Sequence, residues 1–407
     1  MTVDHIEVHI DLEGEPHSMG TVEIHDRRGR TVRSEFTYDR TYLGSPGVPA
    51  LDPNTPLDAA SQVGAHVPRG LADAGPDGWG RRLILRAHRG HAPSGAEQLL
   101  AVDDLTRIGA LRLRGAPSGP FLATSHEIPN LVTLEELAEA ANAVEEDADD
   151  LAAVRVLVDA GTASLGGVRP KASVRDGDRL MIAKFPSTRD RADGIDVVAW
   201  EKLCLDLATA AGITVPANRL ASVGSSHALL VDRFDRSVSG RIPYLSAFAI
   251  TDALDAASGD YLDIAEALAD LDVQDLAATL RELWRRVAFS IAMRNTDDHL
   301  KNHGVLWSRS GWHLSPAFDI TPNPVGGARR ATTIDGEDRP AAEPQALVEL
   351  AREFGIPDPE WRSILADVLG AASTWSAHAR SLGIDDREVR LLQRPLAEAQ
   401  GHLADLP

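Results

Sequence analysis

Most of the chemistry this chain can offer sits between Arg294 and Gly304, in the run Arg-Asn-Thr-Asp-Asp-His-Leu-Lys-Asn-His-Gly. Two adjacent carboxylates, two histidines, a lysine and an asparagine share this short stretch. A further carboxylate, Asp319, follows within Pro316-Ala317-Phe318-Asp319-Ile320. A loop aspartate (Asp297), an asparagine five residues on (Asn302) and a later aspartate (Asp319) suit phosphoryl transfer. In that chemistry the first carboxylate accepts the proton of an attacking hydroxyl, and the other two groups hold magnesium on nucleotide phosphates. Other readings compete. Adjacent aspartates often only form turns or cap helices. His299 and His303 have the spacing of a helical zinc pair, but no glutamate lies between them, so the protease signature is absent. A metal-dependent hydrolase using Asp297, Asp298, His299 and Asp319 is a second chemistry, and a scaffold without catalysis is a third.

Such groups need rigid elements on either side. Leu283-Trp284 through Met293 reads as a buried helix before the cluster. Val305-Leu306-Trp307 and Trp312-His313-Leu314, joined by Ser-Arg-Ser-Gly, read as a hairpin after it. Upstream, Gly161-Thr-Ala-Ser164-Leu-Gly166-Gly167-Val-Arg-Pro-Lys171 is a glycine-bearing loop. A hairpin turning at Asp176-Gly177 follows, with Lys184 on its second strand. A glycine loop ahead of a strand lysine is the arrangement by which kinases hold nucleotide phosphates, with a helix glutamate orienting the lysine. Glu201, on a helix expected from Asp196 to Ala211, is the candidate for that glutamate. Strands at Arg219–Val223 and Ala228–Asp232 lead to Arg233-Phe-Asp-Arg236, a link where Phe234 could flank an adenine.

The N-terminal residues alternate, with Ile6, Val8 and Ile10, then Val22 and Ile24, then Phe36 and Tyr38, and predict a small antiparallel sheet. Pro46 to Pro68 reads as loop, Trp79 as a core anchor, and Gly115 to Asn130 as a linker. Thr133-Leu-Glu-Glu136 is a capping-box pattern. After Ser246 helical periodicity dominates, interrupted by Asn323 to Pro344, whose Gly, Arg, Thr, Asp and Pro content predicts a mobile segment. The 407 residues, 43% of them apolar, point to two or three domains. The expected division is 1–125, 126–240 and 241–407.

A formal charge of −20 excludes a broad basic face for DNA, so any DNA role would need a basic partner. The single cysteine, Cys204, lies in an apolar helical pattern and excludes an intramolecular disulfide framework. No apolar run approaches the roughly 20 residues that span a bilayer, and the first residues are unlike a signal peptide. A soluble cytoplasmic protein with no membrane partner is the expectation.

Glycine loop, strand lysine, helix glutamate, link, catalytic loop and metal aspartate occur in kinase order, and the sequence resembles the HipA family of serine/threonine kinases, toxins of bacterial toxin–antitoxin pairs. Tyr42-Leu43, Trp79-Gly80-Arg81, Ser164 to Lys171, Ile182-Ala-Lys184-Phe-Pro186, Arg233-Phe-Asp-Arg236, Asn295 to His303 and Leu314 to Asp319 carry the resemblance, which covers nearly the whole chain. The Asp-x-His-x-x-Asn core also looks like the loop of phosphatidylinositol kinases. The resemblance implies an α+β, bilobal kinase-like fold with an N-terminal antiparallel β subdomain and an all-helical C-terminal lobe. It implies ATP and Mg2+ as cofactors and Asp297 as catalytic base. Asn302 and Asp319 would be metal ligands, and Lys184 would pair with phosphates while Glu201 holds it. Gly166, Gly167, Lys171, Lys301 and Asn302 would contribute to the nucleotide site. Asp232 and Phe234 would meet adenine through their backbones and Asp235 the ribose. Ser164 falls at an autophosphorylated serine. Implied partners are a small HipB-like helix-turn-helix antitoxin, which would carry any DNA contact, and a protein substrate, an aminoacyl-tRNA synthetase in the best-known relative. Asp298, glycine in that relative, would add a negative charge near the phosphates and is expected to weaken nucleotide binding or recruit a second metal. Since all the kinase elements follow Gly161, the region before about residue 115 is expected to serve assembly rather than chemistry.

Overall fold

Alternation builds the first sheet. Ile6, Val8 and Ile10 on Thr2–Leu12, Val22 and Ile24 on Glu15–Arg27, and Phe36 and Tyr38 on Arg30–Tyr38 are all buried. Alternate strand residues share a face, so these side chains make one apolar surface, covered by Leu71, Ala96 and Leu99. The sheet has five antiparallel strands in the order Gln62–Gly64, Arg30–Tyr38, Glu15–Arg27, Thr2–Leu12, Leu111–Arg114. Gln62–Gly64 lies within the stretch expected to be loop. It pairs with Ser34 to Phe36, so the open edge of its neighbour recruits it where its own composition would not.

The computed structural model describes residues 2–27, 30–88, 93–115, 119–121, 128, 133–147, 150–224, 226–271 and 273–406. The linker expected over Gly115–Asn130 lies largely outside them. The chain divides into two compact units. The first comprises Met1–Thr188, Ala221–Leu245 and Leu306–Arg309, and the second Arg189–Leu220, Ser246–Val305 and Ser310–Pro407.

In the first unit a second antiparallel sheet is built on the hairpin Lys171–Asp176 and Arg179–Lys184, continued by Ser226–Asp232 and Asn218–Val223. The tight turn sits one residue later than expected, since Asp176 pairs with Arg179 and Gly177 takes φ +60°. One sheet face (Ala172, Val174, Met181, Ala183) packs on Leu137, Val144, Val154 and Leu157 of the helices Leu134–Glu146 and Leu151–Asp159. Trp79 and Leu83 of the helix Gly78–Ala87 complete this core. Trp79 is thus the expected anchor, but it anchors the sheet that follows the glycine loop. Thr133 precedes Leu134–Glu146 without forming the expected cap.

The second unit is mainly helical: Val197–Ala210, Tyr261–Asp270, Leu276–Ala292, Glu343–Glu353, Asp358–Ala372, Trp375–Ser381 and Asp386–Ala404. Glu388 accepts hydrogen bonds from Asp196 N (2.9 Å) and Trp200 Nε1 (2.8 Å) and so fixes the start of the helix bearing Glu201. Cys204, on the same helix, is fully buried. Burial, with the Glu201 charge beside it, pushes its thiol pKa up and leaves it an inert core residue.

The segment Asn323–Pro344 is anchored, contrary to its composition. Arg330, Thr332 and Ile334 are buried, and Thr332–Thr333 pairs in parallel with Gly259–Asp260. The Asp260 carboxylate accepts from Thr333 Oγ1 and from Gly336 N, at 2.5 and 2.7 Å. No helix among the described residues is long and apolar enough to cross a membrane.

Candidate active site

The loop begins where the helix Leu276–Ala292 stops. Arg294 takes φ +54°, a conformation that costs a non-glycine residue energy and is retained only when neighbours enforce it. Asn295 N donates to Ser290 O at 2.8 Å, and Ser290 Oγ returns a bond to Asn295 O at 2.9 Å. Asn295, Thr296, Asp298, Leu300, Asn302 and His303 are all buried, yet Asp297 among them is exposed. The loop therefore packs almost wholly inward and presents one carboxylate outward. The Asp297 carbonyl accepts from His299 N (2.9 Å) and Asn302 Nδ2 (3.1 Å). The second bond engages the Asn302 amide nitrogen.

Asp298 is held by buried partners. Its Oδ2 accepts from the Tyr261 hydroxyl, and its Oδ1 lies 3.0 Å from His303 Nε2. Burial alone would raise this carboxyl. His303, the Tyr261 hydroxyl and Arg330 outweigh that and hold it well below the usual carboxylate range. Tyr261 is pushed well above its ordinary pKa by burial and by Asp298, so it stays a donor. Arg330 Nη1 lies 3.4 Å from the Tyr261 hydroxyl and 3.3 Å from Ser290 Oγ, and its Nε donates to Glu343 at 3.0 Å. Asp298 is thus buried among these partners, and it lines the same small cavity as Asn302. The segment after Asp319 also holds the loop directly. Ala331 N donates to Thr296 O (2.9 Å), Asn323 Nδ2 to Thr296 Oγ1 (2.7 Å), and Asn323 N to Arg294 O (2.9 Å).

Asp319 is half-buried and takes φ +59°, a second left-handed residue beside the loop. One small cavity is lined by Asn295, Asn302 and His303 together with Ala317, Phe318 and Ile320, so the loop and the Asp319 segment meet. Among the described residues no group of three or more His, Cys, Asp and Glu is placed to hold a metal. Asn302 and Asp319 each offer an oxygen donor of the kind magnesium takes, since that ion binds through one or two carboxylates plus phosphate and water oxygens.

In the first unit, Lys184 pairs across the sheet with Lys171, so both belong to the face opposite the apolar core. The preceding loop turns at Gly161 (φ +69°) and Gly167 (φ +78°). Ser164 is buried and its hydroxyl donates to Gly161 O at 3.0 Å. Asp235 is buried too. Arg233 holds both of its oxygens, and Arg236 and Gly109 N bind Oδ2 at 2.8 and 2.7 Å. Burial would raise its pKa, but the two arginines hold it far below the carboxylate range. The ribose contact that the resemblance implies would share this carboxylate with Arg233, Arg236 and Gly109 N. Phe234 packs at 5.8 Å against Tyr244, and the Asp232 carboxylate meets Arg179 at 3.2 Å. Lys301 lies 5.2 Å from the Phe248 ring, and Glu201 is buried in the second unit.

Sequence reasoning missed Tyr261, Arg330 and Glu343, which lie far along the chain from Asp298 and belong to no motif. The residues before 115 also touch the glycine loop. Trp79 N donates to Gly167 O at 2.6 Å and Gly80 N to Leu165 O at 3.3 Å. A chain lacking this region would lose those bonds, and with them Trp79 and Leu83 from the core beneath Lys184's sheet.

Comparison with known proteins agrees with the earlier resemblance. Residues 14–114 match the family model described as HipA N-terminal domain, and residues 163–375 that of the HipA-like C-terminal domain. No curated protein matches the chain. Among solved structures the chain is similar to HipA in the Shewanella oneidensis MR-1 complex of HipA, HipB and operator DNA. The TM-score is 0.67 at 17% identity, covering 98% of this chain and 96% of that one. It is less similar to the Helicobacter pylori proinflammatory kinase CtkA, with a TM-score of 0.45 at 11% identity over 59% of this chain and 91% of that one. The first likeness is one of fold, and the two family models together span most of the N-terminal sheet and the loop that presents Asp297: this chain is a member of the HipA family.

Proposed function

We propose that this protein is an ATP- and magnesium-dependent serine/threonine protein kinase with a kinase-like fold, the toxin of a toxin–antitoxin pair. The observation that carries the reading is the single exposed carboxylate, Asp297, on an otherwise buried loop that also holds Asn302 and adjoins Asp319. Asp297 takes the proton of the attacking hydroxyl as the new phosphate ester forms, and ADP leaves. MgATP supplies the phosphoryl group. Asn302 and Asp319 hold the metal. Lys184, with Gly166, Gly167 and Lys171, holds phosphates, Glu201 is the orienting acid, and Lys301 adds positive charge. The backbones of Asp232 and Phe234 serve the adenine. The hydrolase reading is weaker because Asp298, one of its ligands, is committed to Tyr261 and His303.

Asp319→Ala is expected to weaken MgATP binding far more than binding of metal-free nucleotide. Calorimetry with and without magnesium checks this, and equal losses in both would remove Asp319 from the metal site.

Ser164 is proposed as an inhibitory autophosphorylation site. Its hydroxyl is buried within the glycine loop, so modification requires that loop to open. A phosphate of about −1.5 to −2 charges does not fit back into that place and would hold the loop away from the nucleotide. Phosphopeptide mapping should place the phosphate on Ser164, and the modified form should bind ATP more weakly. A phosphate on another residue, or unchanged affinity, counts against the switch.

The Shewanella oneidensis HipA is bound to HipB and operator DNA. We take a small helix-turn-helix antitoxin as the partner here, and the net charge of −20 fits leaving DNA to that partner. The protein substrate follows from no residue described, an aminoacyl-tRNA synthetase being the precedent.

A further inference from the structure

The glycine loop is held at both ends by residues of the N-terminal region. At its far end, the helix Gly78–Ala87 meets it end-on. A helix leaves its first N–H groups without intrahelical partners, and here Trp79 N and Gly80 N give theirs to the carbonyls of Gly167 and Leu165. Arg82 Nη2 donates to Val168 O at 2.5 Å. Gly78 is the point of closest approach. It takes φ +43°, and a Cβ there would lie 2.0 Å from Gly167 O and 2.6 Å from Gly167 C. Backbone so close cannot give way without moving the loop, so only glycine fits with the loop in this place. The helix cannot retreat either, because Trp79 is 1% exposed in the core with Leu83. At its near end, Gly161 O accepts from Thr106 Oγ1 at 2.8 Å, and a Cβ on Gly161 would lie 2.5 Å from Thr106 Cγ2.

We infer that Gly78, Trp79, Gly80 and Arg82, with Thr106, are positioning residues that fix the glycine loop in its nucleotide-holding place, so that nucleotide affinity is set from the N-terminal region. The effect on nucleotide rests on the kinase reading; the clamp itself does not. The full-length protein is compared with Gly78→Ala and Arg82→Ala by amide hydrogen exchange over residues 161–171 and by ATP titration and steady-state kinetics. Both variants should exchange faster in this loop than the parent. Arg82→Ala, which loses one hydrogen bond from a partly exposed side chain, should weaken ATP about two- to tenfold, and Gly78→Ala more. The loss should fall on KM for ATP with kcat at saturation largely kept, a split that general destabilisation would not produce. Should Gly78→Ala fail to fold, Arg82→Ala carries the test alone. Unchanged exchange in the loop overturns the clamp. Faster exchange with unchanged KM for ATP overturns its link to nucleotide. Absence of ATP binding by the parent protein defeats the kinase reading, while loop exchange still decides the clamp.

Discussion

Asp297→Asn is expected to lower phosphoryl transfer by at least about 100-fold, the lower end of what a positioned general base contributes, while leaving the fold intact. The substitution keeps shape and size. The loop's bonds from His299 N and Asn302 Nδ2 go to the Asp297 carbonyl, which the substitution keeps. Thermal melting should therefore be nearly that of the parent protein, and ATP affinity should change little. Transfer within a few-fold of the parent would remove Asp297 from the base role.

Arg330→Met is expected to be the most damaging substitution in the second unit. The Arg330 side chain is 1% exposed and pairs with Glu343, itself 7% exposed. Removing one partner of a buried pair leaves an uncompensated charge and costs about 3–5 kcal/mol. Tyr261 and Ser290 lose a neighbour as well, and through them Asp298 and Asn295 lose support. Urea titration should show the loss, and Arg330→Met with Glu343→Gln should recover part of it. A cost below about 1 kcal/mol would mean that the network does not hold the loop. The Asp298 carboxyl gives the same network a pH signature. Its folded pKa is depressed, so its contribution is present above the ordinary carboxylate pKa and is lost only as pH falls below about 4. Asp298→Asn should remove that acid-side dependence.

Local patterning told most about elements whose burial is decided locally. The period-two runs at Ile6, Val22 and Phe36 became strands, and helices dominate after Ser246 as the periodicity there predicts. The Arg294–Gly304 loop was legible because helix and strand patterns bracket it. What escaped depends on distant partners. Asp298 reads as one of two equivalent aspartates until Tyr261 and His303 turn it inward. Asn323–Pro344 has the composition of a mobile segment, and the burial of Arg330 against Glu343 overrides it. Asp235 looks available beside Phe234, but Arg233, Arg236 and Gly109 consume it. The tight fit of Gly78 against Gly167 joins residues far apart in the chain.

The central claim, phosphoryl transfer based on Asp297, is tested most directly by intact-mass measurement of the full-length protein after incubation with MgATP. The parent protein should gain mass in whole phosphoryl groups, and it should gain none without magnesium or as Asp297→Asn. An unchanged mass for the parent, or an equal gain by Asp297→Asn, would contradict it.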